Sequence, residues 1–323
     1  MRLAATLAVS LVMAIPLTGM AQTVSAYPAK PVKILVGYQA GGPTDLTARL
    51  IANKLQTVLG QPFIVENKPG AGSNIASEQL AASPADGYTL MVAASQMTWN
   101  SALYKSVKYD PLRSFVPVSK IMSSPAVLVA NPNVPFKSVA ELIALGKKGA
   151  QPLSYASSGS GTVPHLSGEL FAAVTGVPMT HVPYRGAGPA LNDLLGGQVD
   201  VSFLTALSAM PFVKDGKLRA LAVISNRRIP QLPNVPTLKE AGVSGVDLES
   251  WNGLFAPGGT PPEIIQKLGN AVVKILKDPE VRKVFEEQAA TAIGNTPKEF
   301  DAEVRADVKR NHSLIKSTNI TVD

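Results

Sequence analysis

Val36-Gly37-Tyr38-Gln39-Ala40-Gly41-Gly42-Pro43-Thr44-Asp45-Leu46-Thr47-Ala48-Arg49 is the stretch on which the reading of the fold turns. It follows the apolar run Val32-Lys33-Ile34-Leu35-Val36 and leads into a helical pattern near Leu46–Leu59. A strand that turns through paired glycines into a helix leaves several backbone N–H groups unpaired at the helix start. Those groups and the aligned peptide dipoles favour an anion, a carboxylate or a phosphate. Either Thr44 or Asp45 can take the cap, with Pro43 shaping the entry. On these residues alone, an ordinary strand-to-helix turn is the better explanation of the stretch.

The same design recurs along the chain. Pro62-Phe63-Ile64-Val65-Glu66-Asn67 reads as a second strand, ending at Lys68-Pro69-Gly70-Ala71-Gly72-Ser73 before a helix-like run from Asn74. Tyr88-Thr89-Leu90-Met91-Val92-Ala93 makes a third, after the turn chemistry of Ser83-Pro84-Ala85-Asp86-Gly87. Strands alternating with helices at this spacing imply βαβ units and a largely parallel sheet. Ligands of such sheets collect beyond the carboxyl ends of the strands. Residues 38–45, 70–74 and 95–100 would share that edge, among them Ser95 and Asn100.

Past Asn131-Pro132-Asn133 the design returns. Leu153-Ser154-Tyr155-Ala156 runs through Ser157-Ser158-Gly159-Ser160-Gly161-Thr162 into a helix, and Thr180-His181-Val182-Pro183-Tyr184-Arg185-Gly186 does the same near Ala190. Strands are expected at 199–203 and 218–224. Ser138 with Glu141, and Thr296 with Glu299, form capping boxes. In the final third, Ile264, Ile265, Leu268, Val272, Ile275 and Leu276 share one helical face.

Composition narrows the chemistry. With 46% hydrophobic and 16% charged residues in 323, the chain suits a soluble protein of one large or two medium domains. It has no cysteine and three histidines without a metal-ligand spacing, so disulfides, thiolate chemistry and a transition-metal site are not expected. Arg2, the apolar run to Leu17 and the small residues Val24-Ser25-Ala26 predict a secretory signal peptide over 1–26, cut after Ala26 or alternatively Ala21. Export points to the periplasm. The formal charge of +7 includes Arg2, so removal of that leader leaves about +6, spread without a basic stripe. Nucleic-acid binding is not expected; a mild field attracting anionic solutes is.

Enzyme signatures fail on inspection. Gly159-Ser160-Gly161, Gly186-Ala187-Gly188 and Gly70-Ala71-Gly72 begin like dinucleotide loops, but Pro164, Leu191 and Ile75 stand where the third glycine belongs. Ser160 and His165 suggest an exported hydrolase, yet GxSxG is not satisfied. His165 is read as a helix-start residue making a structural hydrogen bond, and His181 as packed and hydrogen-bonded. No acid pair converges, and no cofactor is implied. What remains can hold an anion and enclose its carbon skeleton without reacting with it.

The loops Gly41–Asp45, Glu66–Gly72 and Tyr155–Gly161 are followed in order by His165-Leu166, Val182-Pro183-Tyr184-Arg185-Gly186, Asp193-Leu194-Leu195-Gly196-Gly197-Gln198-Val199-Asp200, Pro236–Gly242 and Ala256–Pro261. In that order they closely resemble the Bug-type receptors, the extracytoplasmic solute-binding proteins of tripartite tricarboxylate transporters, over essentially the whole mature chain. The resemblance implies an α/β, two-lobed periplasmic-binding-protein fold of type II-like character, with mixed, mostly parallel sheets and a ligand cleft between the lobes. The crossings would fall near 121–125 and 225–227, giving lobe one 27–122 plus 227–323 and lobe two 123–226.

It also implies a monomer that takes a small organic carboxylate, di- or tricarboxylic or aromatic, and hands it to membrane permease subunits. A loaded receptor docking on a sensor kinase is the alternative. Carried over, the ligand-binding residues are Tyr38, Gln39, Gly41, Gly42, Thr44, Asp45, Ser95, Trp99, Asn100, Ser157, Ser158, Gly159, Gly161, Thr162, Tyr184, Arg185, Gly186 and Thr205. Two departures fall where the far end of a ligand would lie. Met97-Thr98-Trp99-Asn100-Ser101 replaces a His-Ala-Ile-Asn-Pro-like run, and Leu204-Thr205 stands where an aspartate is common. Trp99 and Leu204 thereby suggest a more apolar or aromatic acid.

Overall fold

The computed structural model describes residues 27–318 except 150 and 247, together with 320 and 322; the expected leader and its cleavage site lie outside the described residues. The chain opens with β1 (Val32–Val36), α1 (Pro43–Leu59), β2 (Phe63–Asn67), α2 (Asn74–Ala81), β3 (Thr89–Ala94), α3 (Asn100–Leu103) and β4 (Phe115–Ser124). It continues with β5 (Ala126–Ala130), α4 (Val139–Lys148), β6 (Leu153–Ser157), α5 (Val163–Thr175), β7 (Met179–Pro183), α6 (Ala187–Leu195), β8 (Val201–Thr205), α7 (Ala206–Lys214) and β9 (Arg219–Ile224). It closes with β10 (Ser250–Pro257), α8 (Pro262–Leu276), α9 (Pro279–Glu287), β11 (Thr291–Ala292) and α10 (Pro297–Thr318).

These strands make two sheets, ordered β11-β4-β10-β3-β1-β2 and β7-β6-β8-β5-β9. The largely parallel expectation covers only half of each. β1 pairs in parallel with β2 and β3, and β6 with β7 and β8, whereas β10, β4 and β11, like β8, β5 and β9, pair antiparallel. The parallel halves carry the βαβ units, because parallel neighbours need a crossover and a helix supplies it.

β10 reads poorly as a strand in sequence, with Gly253 in its middle and Pro257 at its end, yet every residue of it is buried. It is inserted between β3 and β4, and the missing Gly253 side chain is what admits Phe300 of α10, whose ring lies 2.3 Å from where a Cβ would stand. The α8 face holds as read: Ile264, Ile265, Leu268, Val272, Ile275 and Leu276 are buried in one core with Ile51 and Leu55 of α1. Each such side chain contributes about 1.5–3 kcal/mol by leaving water, which anchors α1 and the loop before it to the first sheet.

The chain passes from the first sheet to the second at Pro125, between β4 and β5. The return differs from the expected 225–227. Leu232 and, further on, Leu238, Val243, Val246 and Leu248 pack into the cores of the second sheet, and the first sheet is rejoined only at Ser250. These apolar residues keep the segment on the second sheet, and Leu238 N–H bonds to Val223 O of β9. α10 spans both bodies, with Phe300 in the first core and Ile315 in the second. Among the described residues, no helix is long and apolar enough to cross a membrane.

Candidate functional site

The loop between β1 and α1 is shaped by Asp45. Gly42 is the helix cap and makes no side-chain cap bond, with Pro43 in the first turn. Neither Thr44 nor Asp45 is therefore the cap. Asp45 instead reaches back from inside the first turn: Oδ2 accepts from the Gly41 N–H (2.8 Å) and Arg49 Nε (2.9 Å), and Oδ1 from Asn67 Nδ2 (2.9 Å). Asn67 Nδ2 also donates to Tyr38 O, so one buried carboxylate and one amide set the whole turn. Burial pushes the Asp45 carboxyl up, but hydrogen bonds from Arg49, Gly41 and Asn67 outweigh it and hold the group below its ordinary range. Gly41 sits at φ +82°, a conformation that side chains disfavour.

The loop between β6 and α5 is braced from behind by histidines. His165 Nδ1 accepts from the Gly161 N–H (3.0 Å), and His181 Nε2 lies 2.6 Å from Ser157 Oγ, which accepts in turn from the Gly159 N–H. The two imidazoles stack at 4.0 Å, with Tyr155 stacked on His181. Burial pushes His165 down to about 4, and burial with the neighbouring His165 does the same to His181. Both rings are thus neutral at physiological pH, which the Nδ1 acceptor role requires.

Between the two loops lies a cavity lined by the first turns of α1, α5, α6 and α7. Gly42 caps α1 before Pro43 and Thr44, Thr162 caps α5 before Val163 and Pro164, Ala187, Gly188 and Pro189 come from α6, and Thr205, the last residue of β8, caps α7 ahead of Ser208. The first α1 bond runs from Leu46 N–H to Gly42 O and the first α5 bond from Leu166 N–H to Thr162 O, so the amides before them stand outside the helical ladder. Thr44 Oγ1 accepts from Asn252 Nδ2 (3.2 Å) on β10, which leaves its own proton to donate. Tyr38, Gln39, Ser158, Gln96 and Leu204 complete the wall beside these groups. Burial holds the Tyr38 phenol far above its ordinary pKa, so it stays a neutral donor. The arrangement can take a negative group on backbone and hydroxyl donors converging from both sheets.

The profile of the tripartite tricarboxylate transporter family receptor matches residues 47–320. BugT of Bordetella pertussis is 36% identical over 304 residues, covering 93% of this chain and 93% of that protein. The chain belongs to that receptor family. Its fold, two mixed α/β sheets flanked by helices, is that of solved periplasmic binding proteins. An R. palustris protein, Rpa4515, solved with adipate, superposes with a TM-score of 0.87 at 36% identity, covering 91% of this chain and 99% of that one. MatC from Rhodopseudomonas palustris with bound malate superposes at 0.86 with 33% identity, covering 90% and 100%. The family is one of receptors rather than enzymes.

Of the carried-over residues, Tyr38, Gln39, Gly42, Thr44, Ser158, Thr162 and Thr205 line this receptor's central cavity. Gly159, Tyr184 and Arg185 line a second opening, which also touches Tyr38 and Ser158. Tyr184 donates to Asp193 Oδ2 (2.6 Å), and burial with that carboxylate pushes its phenol up to about 12. Gly41, Asp45, Ser95, Trp99, Asn100, Ser157, Gly161 and Gly186 lie on neither wall. Gly41, Asp45, Ser157 and Gly161 shape the loops from behind. Ser95 is buried, and Gly186 faces Gln39, whose Cβ lies 3.6 Å from where a Gly186 Cβ would stand. The Ser160–His165 pair of the hydrolase idea is not formed, since Gly161 N–H takes His165 Nδ1. The close Ser–His contact is Ser157–His181, and Ser157 is fully buried.

Trp99 and Asn100 correct the expectation most. Trp99 is 1% exposed in the core of the second sheet, and its Nε1 donates to Gly161 O at 2.7 Å. Asn100 Nδ2 donates to Gly72 O and Asn74 Oδ1, and Tyr104 Oη to Ser160 O. Residues 99–104 form a bracket that ties the 70–74 loop to the β6–α5 loop. The hint of an aromatic acid therefore loses Trp99 and keeps only Leu204. Trp99→Phe should cost about 1–2 kcal/mol by orphaning Gly161 O, read as a lower urea midpoint, while the ranking of bound acids stays unchanged. Sequence reading missed Gln96, Met122, Ser208, Ser250 and Asn252. For Gln96, the run 95–100 at the carboxyl edge of β3 was a signal; for Asn252, none existed without β10.

Proposed function

We propose that the receptor captures a small organic carboxylate in the cavity between its two sheets and presents it to the membrane subunits of a tripartite transporter. The observation that carries this reading is the convergence of the first turns of α1, α5, α6 and α7 on one cavity. The neighbours solved with adipate and malate support it. The two sheets, with their helices, act as lobes that close on the ligand, because only the closed form brings Thr44 and Ser158 to the same molecule. Class recognition falls to the β1–α1 and β6–α5 loops; Leu204 and Thr205 help select the acid.

Calorimetry of the purified protein against a panel of mono-, di- and aromatic carboxylates, amines and sugars tests it. Binding of an acid is expected, and Thr44→Val or Ser158→Ala should each weaken it about tenfold, one hydrogen bond to a charged group. An amine or a sugar bound in place of every acid would sink the reading.

A further inference from the structure

We propose that Arg185 is the entry charge of the cleft, an exposed cation at the rim that draws an acid in and sets how fast it arrives, without touching the acid once it is held. This rests on the carboxylate reading above and deepens it. The central cavity and the second opening share Tyr38 and Ser158, so they meet at those two residues. The second opening is walled by the β2–α2 loop from the first sheet, and from the second by the β6–α5 loop and by Arg185, just after β7. Among the described residues lining either opening, Arg185 is the only charged one.

That charge is unspent. Arg185 is exposed, and among the described residues it makes no ion pair and no side-chain hydrogen bond. The cations beside the first loop are taken, Arg49 by Asp45 and both Lys33 and Lys68 by Glu66. The carboxylate beside Tyr184, that of Asp193 on α6, accepts the Tyr184 hydroxyl at 2.6 Å and lines neither opening. A charge is felt over about 8 Å at physiological ionic strength, so Arg185 needs no fixed rotamer to act at the opening, whose low-dielectric walls focus its field. Being solvated, it adds little by contact. A rim charge of this kind changes association and its salt dependence, while release is set by the groups that hold the ligand.

The test is stopped-flow fluorescence with calorimetry on the purified protein, the probe being the tightest binder among adipate, malate, glutarate and benzoate. Arg185→Gln should slow association about threefold at low salt and Arg185→Glu about tenfold, with dissociation unchanged. Arg185→Lys keeps the charge and loses the planar fork, so it should associate at the wild-type rate. At about 1 M salt, where the screening length falls to about 3 Å, the gaps between variants should close. Lys148→Gln removes the same charge from an exposed residue lining neither opening and should leave association unchanged. Faster dissociation at an unchanged association rate in Arg185→Gln would make Arg185 a contact of the bound acid and overturns the inference. Equal slowing in Lys148→Gln, or no slowing in Arg185→Glu, overturns it too. Each of these results leaves the carboxylate reading standing. An amine or a sugar bound in place of all four acids overturns both.

Discussion

Asp45→Ala is expected to lower folding stability by about 3 kcal/mol and to weaken acid binding at least tenfold, although Asp45 touches neither cavity wall. The carboxylate is 1% exposed and accepts from Gly41 N–H, Arg49 Nε and Asn67 Nδ2. Its loss leaves the partly solvated Gly41 N–H and Asn67 amide without their acceptor, at the lower end of roughly 1–3 kcal/mol each. Arg49 is half exposed and can return to water, which keeps the estimate near the lower end. Binding suffers because the amides proposed to meet the ligand belong to the turn that Asp45 folds.

The pH dependence has a definite sign. The folded-state pKa of Asp45 is depressed, so its contribution is full above the unfolded-state value near 3.8 and is lost as pH falls through the folded value. The stability difference between wild type and Asp45→Ala, measured by urea denaturation, should be level at neutral pH and shrink in strong acid. A flat difference throughout would show that the carboxylate's charge is not what holds the turn.

The second large effect comes from the histidine stack. His165 and His181 are pushed from the ordinary 6.5 to about 4 by burial, so between those values the unfolded chain binds protons that the folded chain refuses. Stability therefore falls as pH drops from 6.5 towards 4, by on the order of 3 kcal/mol for the pair in contact. Thermal denaturation across that range should show the decline, and His165→Asn with His181→Asn should flatten it. Asparagine at 165 can still accept from Gly161 N–H, so loss of the slope without loss of the fold is the informative result. An unchanged slope in the double variant would place the titrating groups elsewhere.

Much of the binding architecture was legible locally. A strand, a glycine pair and a proline at a helix start specify one another within a few residues, which is why the loops at 37–45 and 157–162 and the start of α6 could be read directly. The α8 stripe was legible for the same reason, since its period is a property of one helix. The roles of His165 and His181 as structural hydrogen-bonding residues also followed from their places at a helix start and in a strand.

What could not be read locally was depth. Thr44 and Asp45 are adjacent, yet one meets the cavity and the other is buried behind it. Trp99 and Gln96 share one short segment, yet the indole is buried in the second core while Gln96, to which the sequence reading gave no role, is among the residues around the cavity. β10 was hidden by a glycine whose purpose is to admit Phe300 from α10. The sequence by itself determined that helix starts would face a common edge and which receptor family the chain belongs to, because short-range backbone geometry and ordered motifs carry that information. Only the tertiary structure decided which side chains line the cavity, because that depends on contacts between β3, β8, β10 and the helix starts, which no local pattern encodes.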